Sequence, residues 1–223
     1  MCRNILIMNI KENIINYIKH NRVSSTEVSD CLDKSGAISN ILPINSGHFS
    51  VGNVFWTFAF SGSNWNIHDQ IRGISKGDIL IVSSYECNEK AMFGDLVSKY
   101  VLLYKQAASI VALGNLRDAP RLKKENWPIW CYGFNPVGCN NEKLEINSSL
   151  LNLIHNDHAY YNDSIAVCDD TGVVIIPKNH QNQDFLSRLE FIEEQEDLWY
   201  DCIDRKKWST FDTVCLKLYK KDK

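Results

Sequence analysis

The most informative parts of this chain are two short glycine-containing segments, Gly94-Asp95-Leu96 and Gly114-Asn115-Leu116-Arg117-Asp118. Between them the sequence predicts an amphipathic helix followed by a short apolar strand at residues 109–113. A helix that returns to a strand brings the two ends of the unit together, so we expect the two segments to meet in space. Two aspartates, an arginine and free backbone N–H groups then converge. This combination can bind a divalent metal ion and a small oxo-acid.

The length and composition of the chain fit one α/β domain with appended segments. It has 223 residues, of which 44% are hydrophobic and 11% aromatic, which is enough for an ordinary buried core. The net charge of −3 provides no general attraction for nucleic acid or for an anionic membrane. The lysines of residues 217–223 could form a local basic patch, but a solvated chain end is the simpler interpretation.

The cysteines and the N-terminus indicate a reducing compartment. The eight cysteines contain no C-x-x-C pair and no zinc-type spacing. The apolar run at the N-terminus is too short for a signal peptide or a membrane span. We therefore expect a cytoplasmic protein without a membrane segment.

Hydrophobic periodicity predicts alternating helices and strands. Four isoleucines at positions 7, 10, 14 and 18 predict an N-terminal helix, and Ser24 with Glu27 forms a capping box for a second helix that ends before Gly36. Strands are predicted at 51–60, 79–82, 109–113 and 129–132, with a close pair at 164–168 and 172–176. Further helices are predicted at 67–74, 91–106 and 184–203. We expect an N-terminal helix at 1–23, a central domain at 24–180 and a C-terminal helical extension at 181–223.

The residues that carry chemistry lie at the two glycine-containing segments. Asp95 begins a helix whose first N–H groups, those of Leu96 and Val97, lack intrahelical partners and can hold a ligand carboxylate. Alternatively, Asp95 only caps this helix. Arg117 follows a buried strand and can bind a carboxylate or an enolate through paired hydrogen bonds, while Asp118 can ligate Mg²⁺ or Mn²⁺. The alternative for this pair is a structural ion pair in a loop.

His155 and His158 are the best-spaced histidines for a metal pair. Their neighbours Asn156, Asp157 and Asn162 are typical of a polar loop, and we favour that interpretation over a histidine metal site.

In combination, these segments resemble the RraA-like family, which includes the regulator of ribonuclease E activity and metal-dependent aldolases acting on 4-hydroxy-4-methyl-2-oxoglutarate that also decarboxylate oxaloacetate. The resemblance covers about two thirds of the chain. It rests on STEVSDCLDKSG (25–36), GDILIV (77–82), AMFGDL (91–96), GNLRD (114–118), PIWCYGFNP (128–136) and DTGVVIIP (170–177).

The resemblance implies an α/β fold, a swivelling β/β/α domain that assembles into homotrimers or homohexamers with the site between subunits. Extra helical segments would flank this domain at both ends. It also implies that Asp118 is a ligand of Mg²⁺ or Mn²⁺ and that Arg117 contacts the keto oxygen of a small oxo-acid substrate. Asp95 would position a water for proton transfer, and the amides that follow Gly94, those of Leu96 and Val97, would hold the substrate carboxylate.

The chain departs from the family pattern at several positions. Leu113 replaces a commonly acidic residue, and Asn162-Asp163 stands where Gly-Asp is expected. Members often add a glutamate from a neighbouring subunit, a role open to Glu193 or Glu194. Three functions remain open: a divalent-metal aldolase or decarboxylase, a non-catalytic regulator or binding protein, and a specialised-pathway enzyme that uses the same metal site on another substrate.

Overall fold

A single mixed sheet of seven strands organises the protein, whose computed structural model describes residues 9–220. The four central neighbours β5-β4-β3-β2 run parallel. Strand β1 pairs antiparallel with β5, β6 pairs antiparallel with β2, and β7 pairs antiparallel with β6. In spatial order the sheet is β1-β5-β4-β3-β2-β6-β7. The strands are β1 (Leu42–Pro43), β2 (Ser50–Phe60), β3 (Ile79–Tyr85), β4 (Ser109–Leu116), β5 (Ile129–Phe134), β6 (Ile165–Cys168) and β7 (Val173–Ile176).

Within residues 9–220, seven α-helices connect or flank these strands. They are α1 (Ile10–Asn21), α2 (Ser25–Cys31), α3 (Trp65–Gln70), α4 (Asp95–Lys99), α5 (Ala119–Lys124), α6 (Ser148–Tyr161) and α7 (Gln183–Asp204). A π-helical turn, Tyr100–Tyr104, continues α4. Among the described residues, no helix combines the length and apolar character needed to cross a bilayer.

The apolar run in β3 is buried on both faces of the sheet, as its sequence predicts. Ile79 and Ile81 pack into one hydrophobic cluster, and Leu80 and Val82 pack into another on the opposite face. Successive strand side chains point to opposite faces, so an unbroken apolar run of this kind suits a strand covered on both sides. The predicted α/β fold class is confirmed.

Helices from both ends of the chain pack together against the β6–β7 side of the sheet. Ile14 of α1, Val28 of α2 and Leu189 of α7 belong to one buried cluster. The predicted capping box at the start of α2 is present, because Ser24 and Glu27 exchange their hydrogen bonds. Ile7 of the predicted first helix lies outside the described residues.

The helix predicted at 91–106 is wrong at both ends. Residues 91–93 are apolar at helical spacing, but their backbone groups bond to other segments: Ala91 N–H donates to Val137 and Met92 N–H donates to Asn115. The α-helix therefore starts only at Asp95 and is replaced by the π-helical turn after Lys99.

The polar loop predicted around His155 is also wrong, since these residues belong to helix α6. Asn147 caps this helix by accepting a hydrogen bond from the Leu150 N–H at 2.8 Å. Leu150 and Ile154 pack it onto the aromatic residues of β2. A helix that packs on one side of a sheet needs few apolar positions. The asparagines on the exposed face of α6 therefore outweighed its weak hydrophobic periodicity in the sequence.

Candidate active site

Arg117 and Asp118 follow immediately after strand β4, at the carboxyl edge of the parallel part of the sheet. Ligand sites of open α/β sheets usually lie at this edge. Asp118 has a left-handed backbone conformation with φ of 61°, and its carbonyl accepts the N–H groups of Arg121 and Leu122 at 2.9 and 3.1 Å. Aspartate tolerates this conformation better than most residues. The turn thus begins helix α5 and leaves both side chains at the surface.

Gly94 lies directly against this turn. A Cβ atom built on Gly94 would lie 2.0 Å from Asp118 Oδ2 and 2.8 Å from Arg117 Cγ, so only glycine leaves room for the two side chains. The next amide, that of Asp95, donates a hydrogen bond to Asp118 Oδ2 at 3.2 Å. The two segments singled out in the sequence therefore meet, as expected.

Backbone hydrogen bonds fix the relative positions of the two segments. Met92 N–H donates to Asn115 carbonyl at 2.9 Å, and Arg117 N–H donates to Phe93 carbonyl at 3.0 Å. The Met92 carbonyl in turn accepts the side-chain amide of Asn64 at 2.8 Å. The site is consequently held by main chain rather than by the exposed side chains themselves.

The guanidinium of Arg117 is available to a ligand. Its side chain is 48% exposed, and its Nε lies 3.7 Å from Asp118 Oδ2. An ion pair this long and this exposed contributes little to stability. Gly138 borders the guanidinium on its other side, since a Cβ there would lie 2.7 Å from Arg117 Nη1.

Asp95 pairs with an arginine that the sequence reasoning missed. Its carboxylate lies 3.1 Å from Arg121 Nη1, and its side chain is only 19% exposed. The N-cap of α4 is Gly94, which has no side chain to cap the helix, and the carboxylate of Asp95 bonds across to α5. The available signal was the Pro120 that starts α5, which predicts a helical turn carrying Arg121 back toward Asp118.

Two backbone donors at the start of α4 have no acceptor in the part of the chain that the structure describes. These are the N–H groups of Leu96 and Val97, whereas the N–H of Ser98 already bonds to Gly94 at 3.2 Å. Unpaired N–H groups at a helix start attract an anion. They lie one and two residues beyond the Asp95 amide that contacts Asp118.

The donor set suits a hydrated hard cation. Within residues 9–220, no group of three or more His, Cys, Asp and Glu side chains is arranged to hold a metal ion. Because Gly94 has no side chain, the Asp118 carboxylate can lie directly against it. A second carboxylate, that of Asp95, belongs to the residue whose amide contacts Asp118. Mg²⁺ is commonly bound through one or two carboxylates together with waters and substrate oxygens, so these residues fit such an ion. They do not resemble the closed nitrogen and sulfur sites of zinc.

Comparisons with known proteins show to which family the chain is similar. A family model, RraA-like, described as Aldolase/RraA, matches residues 25–175. The "Putative 4-hydroxy-4-methyl-2-oxoglutarate aldolase" of Halalkalibacterium halodurans is 26% identical over 165 residues, which cover 71% of this chain and 75% of that protein. Protein DlpA of Legionella pneumophila is 24% identical over 165 residues, 70% of this chain, and the chain spans only 26% of DlpA.

A solved structure with a similar fold comes from Streptomyces coelicolor. It is RraAS2, described as an unusual member of the RNase ES inhibitor RraA protein family. It matches with a TM-score of 0.64 at 21% identity, over 83% of this chain and 94% of its own. At this level of identity the similarity shows the fold alone, so any catalytic activity has to be inferred from the residues of the site.

Proposed function

The chain belongs to the RraA-like family, which includes aldolases and regulators, and we propose that it is a divalent-metal-dependent lyase. The substrate class that we infer is a pyruvate-containing oxo-acid, cleaved or decarboxylated through an enolate. The observation that carries this proposal is the contact of Gly94 with both Asp118 and Arg117, beside the unpaired amides of α4.

The substrate would be bound through its charged and polar oxygens. Its carboxylate accepts hydrogen bonds from the Leu96 and Val97 amides, which lack other acceptors among residues 9–220. Its keto oxygen lies toward the guanidinium of Arg117, which stabilises the negative charge that develops there. Fixed donors of this kind are more effective in the transition state than in the ground state, because their orientation costs nothing at the moment of reaction.

Asp118 would hold the metal ion, and Asp95 would handle the proton. The ion, Mg²⁺ or Mn²⁺, supplies Lewis acidity to the substrate oxygens when bound. Asp95 is mostly buried and anchored by Arg121, so its carboxylate is held in one place and can orient a water for proton transfer. The enolate forms without a covalent lysine intermediate.

A homotrimer or homohexamer with the site between subunits is part of this proposal. The site is open, and the helix beside it exposes apolar side chains: Leu96 is 75% exposed, and Leu103 and Tyr104 are exposed as well. Glu193 accepts a hydrogen bond from Tyr17 within the same chain, whereas Glu194 is exposed. Glu194 is therefore the better placed of the two to act at a neighbouring site.

The test is pyruvate release from oxaloacetate by the purified protein, with Mg²⁺ or Mn²⁺ and then with EDTA, corrected for the metal-catalysed background. We expect metal-dependent turnover that falls about 10²- to 10³-fold in Arg117→Ala, the usual loss when one transition-state donor is removed. Arg205→Ala is the matched control, because Arg205 is exposed and its ion-pair partner within residues 9–220 is Asp201 on α7, away from the candidate site. Equal activity in the two variants would reject the site, and absence of turnover in the native protein would favour a regulator instead.

A further inference from the structure

Two cysteines lie side by side behind the candidate site, although no pairing motif joins them in the sequence. Cys87 follows strand β3 and is 3% exposed, whereas Cys139 follows strand β5 and is partly exposed. The Cys139 side chain packs against the buried cluster that contains Cys87, the two thiols interact, and both cysteines are free. Cys139 directly follows Gly138, the residue that borders the Arg117 guanidinium.

The backbone around both cysteines is held by hydrogen bonds. Cys139 N–H donates to the Ala91 carbonyl at 2.9 Å, and Ala91 N–H donates to the Val137 carbonyl at 2.8 Å. On the other side, Lys90 N–H donates to the Cys87 carbonyl at 3.0 Å. The two sulfurs are thus neighbours because two fixed segments place them together.

The interaction between the two sulfurs shifts the pKa of each thiol in opposite directions. The contact with Cys139, assisted by the Ser84 hydroxyl and the Gly62 amide, holds the pKa of Cys87 below its usual value despite its burial. The same contact raises the pKa of Cys139, because a second negative charge beside the first is unfavourable.

Burial has the larger effect at two other buried thiols. Burial raises the pKa of Cys31 to about 12 and that of Cys131 to about 11. A thiolate is the nucleophilic form of cysteine, so Cys87 is better suited to react than Cys31 or Cys131.

We propose that Cys87 and Cys139 form an oxidisable dithiol that closes into an intramolecular disulfide when it meets a hydroperoxide. The thiolate attacks one peroxide oxygen and breaks the O–O bond, which yields a sulfenic acid and, with hydrogen peroxide, one water after protonation. The second thiol then attacks the sulfenic sulfur, forms the S–S bond and releases another water. Overall, two thiols lose two electrons and two protons, and the peroxide is reduced to two waters.

The experiment treats the full-length protein with hydrogen peroxide in small molar excess, blocks the remaining thiols and maps the unreduced peptides by mass spectrometry. We expect a Cys87–Cys139 cross-link that dithiothreitol reverses. Trypsin leaves Cys131 and Cys139 on one peptide, so fragment ions must assign the bond to Cys139. A cross-link to Cys131, or oxidation elsewhere while Cys87 and Cys139 remain reduced, would overturn the proposal.

Single serine variants make the test specific. In Cys139→Ser the cross-link should disappear, whereas Cys215→Ser should retain it in full, since Cys215 is exposed and lies in a C-terminal helical turn. Circular dichroism on each variant shows whether the fold is kept. If a disulfide from Cys87 persisted at an equal level in Cys139→Ser, the assignment of the partner would be wrong.

Discussion

Substituting Gly94 by alanine tests the central contact of the site without removing any functional group. The added Cβ would lie 2.0 Å from Asp118 Oδ2 and 3.0 Å from Asp118 Cγ, far inside normal contact distance for the first pair. The carboxylate must therefore move by about 1 Å or the α4 segment must shift, because a Cβ rarely approaches an oxygen much closer than 3 Å. A misplacement of about 1 Å in a catalytic arrangement costs on the order of 10²-fold in rate, or about 2.7 kcal/mol.

Stability should change much less than activity. Asp118 is partly exposed and its carboxylate can rotate, so the cost should lie near the lower end of the roughly 1–3 kcal/mol seen for overpacking. For a chain of this size that corresponds to a fall in Tm of about 2–4 °C. The assay is kcat/KM for metal-dependent oxaloacetate decarboxylation, measured beside a thermal unfolding curve.

Gly73→Ala provides the matched control for this prediction. A Cβ on Gly73 would lie 3.5 Å from the nearest atom, Phe55 Cε2, which is an ordinary contact. This variant should keep native activity. If Gly94→Ala retained more than half of the native kcat/KM, the argument that Gly94 is required by the Asp118 and Arg117 side chains would be refuted.

The remaining predictions concern the metal ligand, the missed arginine and the core. Asp118→Asn should abolish metal-dependent turnover and weaken Mn²⁺ binding by at least tenfold, as measured by electron paramagnetic resonance. Asp201→Asn on α7 is the control. Equal Mn²⁺ affinity in the two variants would exclude Asp118 as a ligand. Arg121→Ala should lower kcat more than it raises KM. It should cost at most about 1 kcal/mol of stability, because the Arg121 side chain is 61% exposed. Partial rescue by Arg121→Lys would separate a charge effect from a folding defect, and an unchanged kcat would exclude a positioning role. Ile81→Ala should destabilise the protein by about 2–5 kcal/mol in urea unfolding, since Ile81 is 0% exposed, whereas Leu153→Ala on α6, at a 54% exposed position, should cost far less. Similar losses would contradict the assignment of β3 to the core.

The sequence predicted those parts of the fold that depend on local patterns. The apolar run of β3 and the capping box at Ser24 each have one dominant local cause, and both are confirmed. The predicted start of the helix at Ala91 was wrong because the backbone of residues 91–93 forms hydrogen bonds with segments that are distant in sequence. No periodicity within a short window records such partners, so tertiary pairing overrode the helical pattern.

Within the candidate site, the sequence predicted proximity but missed one of the partners. Gly94 and Asp118 meet because a short helix–strand unit brings its ends together, a consequence of element lengths alone. The ion pair of Asp95 with Arg121 depends on how α5 turns after Asp118, and this follows from the left-handed backbone at that residue. That backbone conformation is not encoded by the Arg-Asp dipeptide itself, so Pro120 could indicate the helical turn that carries Arg121 but not its contact with Asp95.

The unequal pairing of the two aspartates supports different roles for them. Asp95 is only 19% exposed and lies 3.1 Å from Arg121, so its charge is already balanced within the chain. Asp118 lies 3.7 Å from Arg117 Nε and accepts one backbone N–H at 3.2 Å, which leaves lone pairs on a more exposed carboxylate. In the proposed mechanism, a cation would therefore gain more from Asp118, the less neutralised carboxylate, and would leave the Arg117 guanidinium to the substrate oxygen. The same asymmetry suits Asp95 to the proposed role of orienting a water, because Arg121 holds its carboxylate in place.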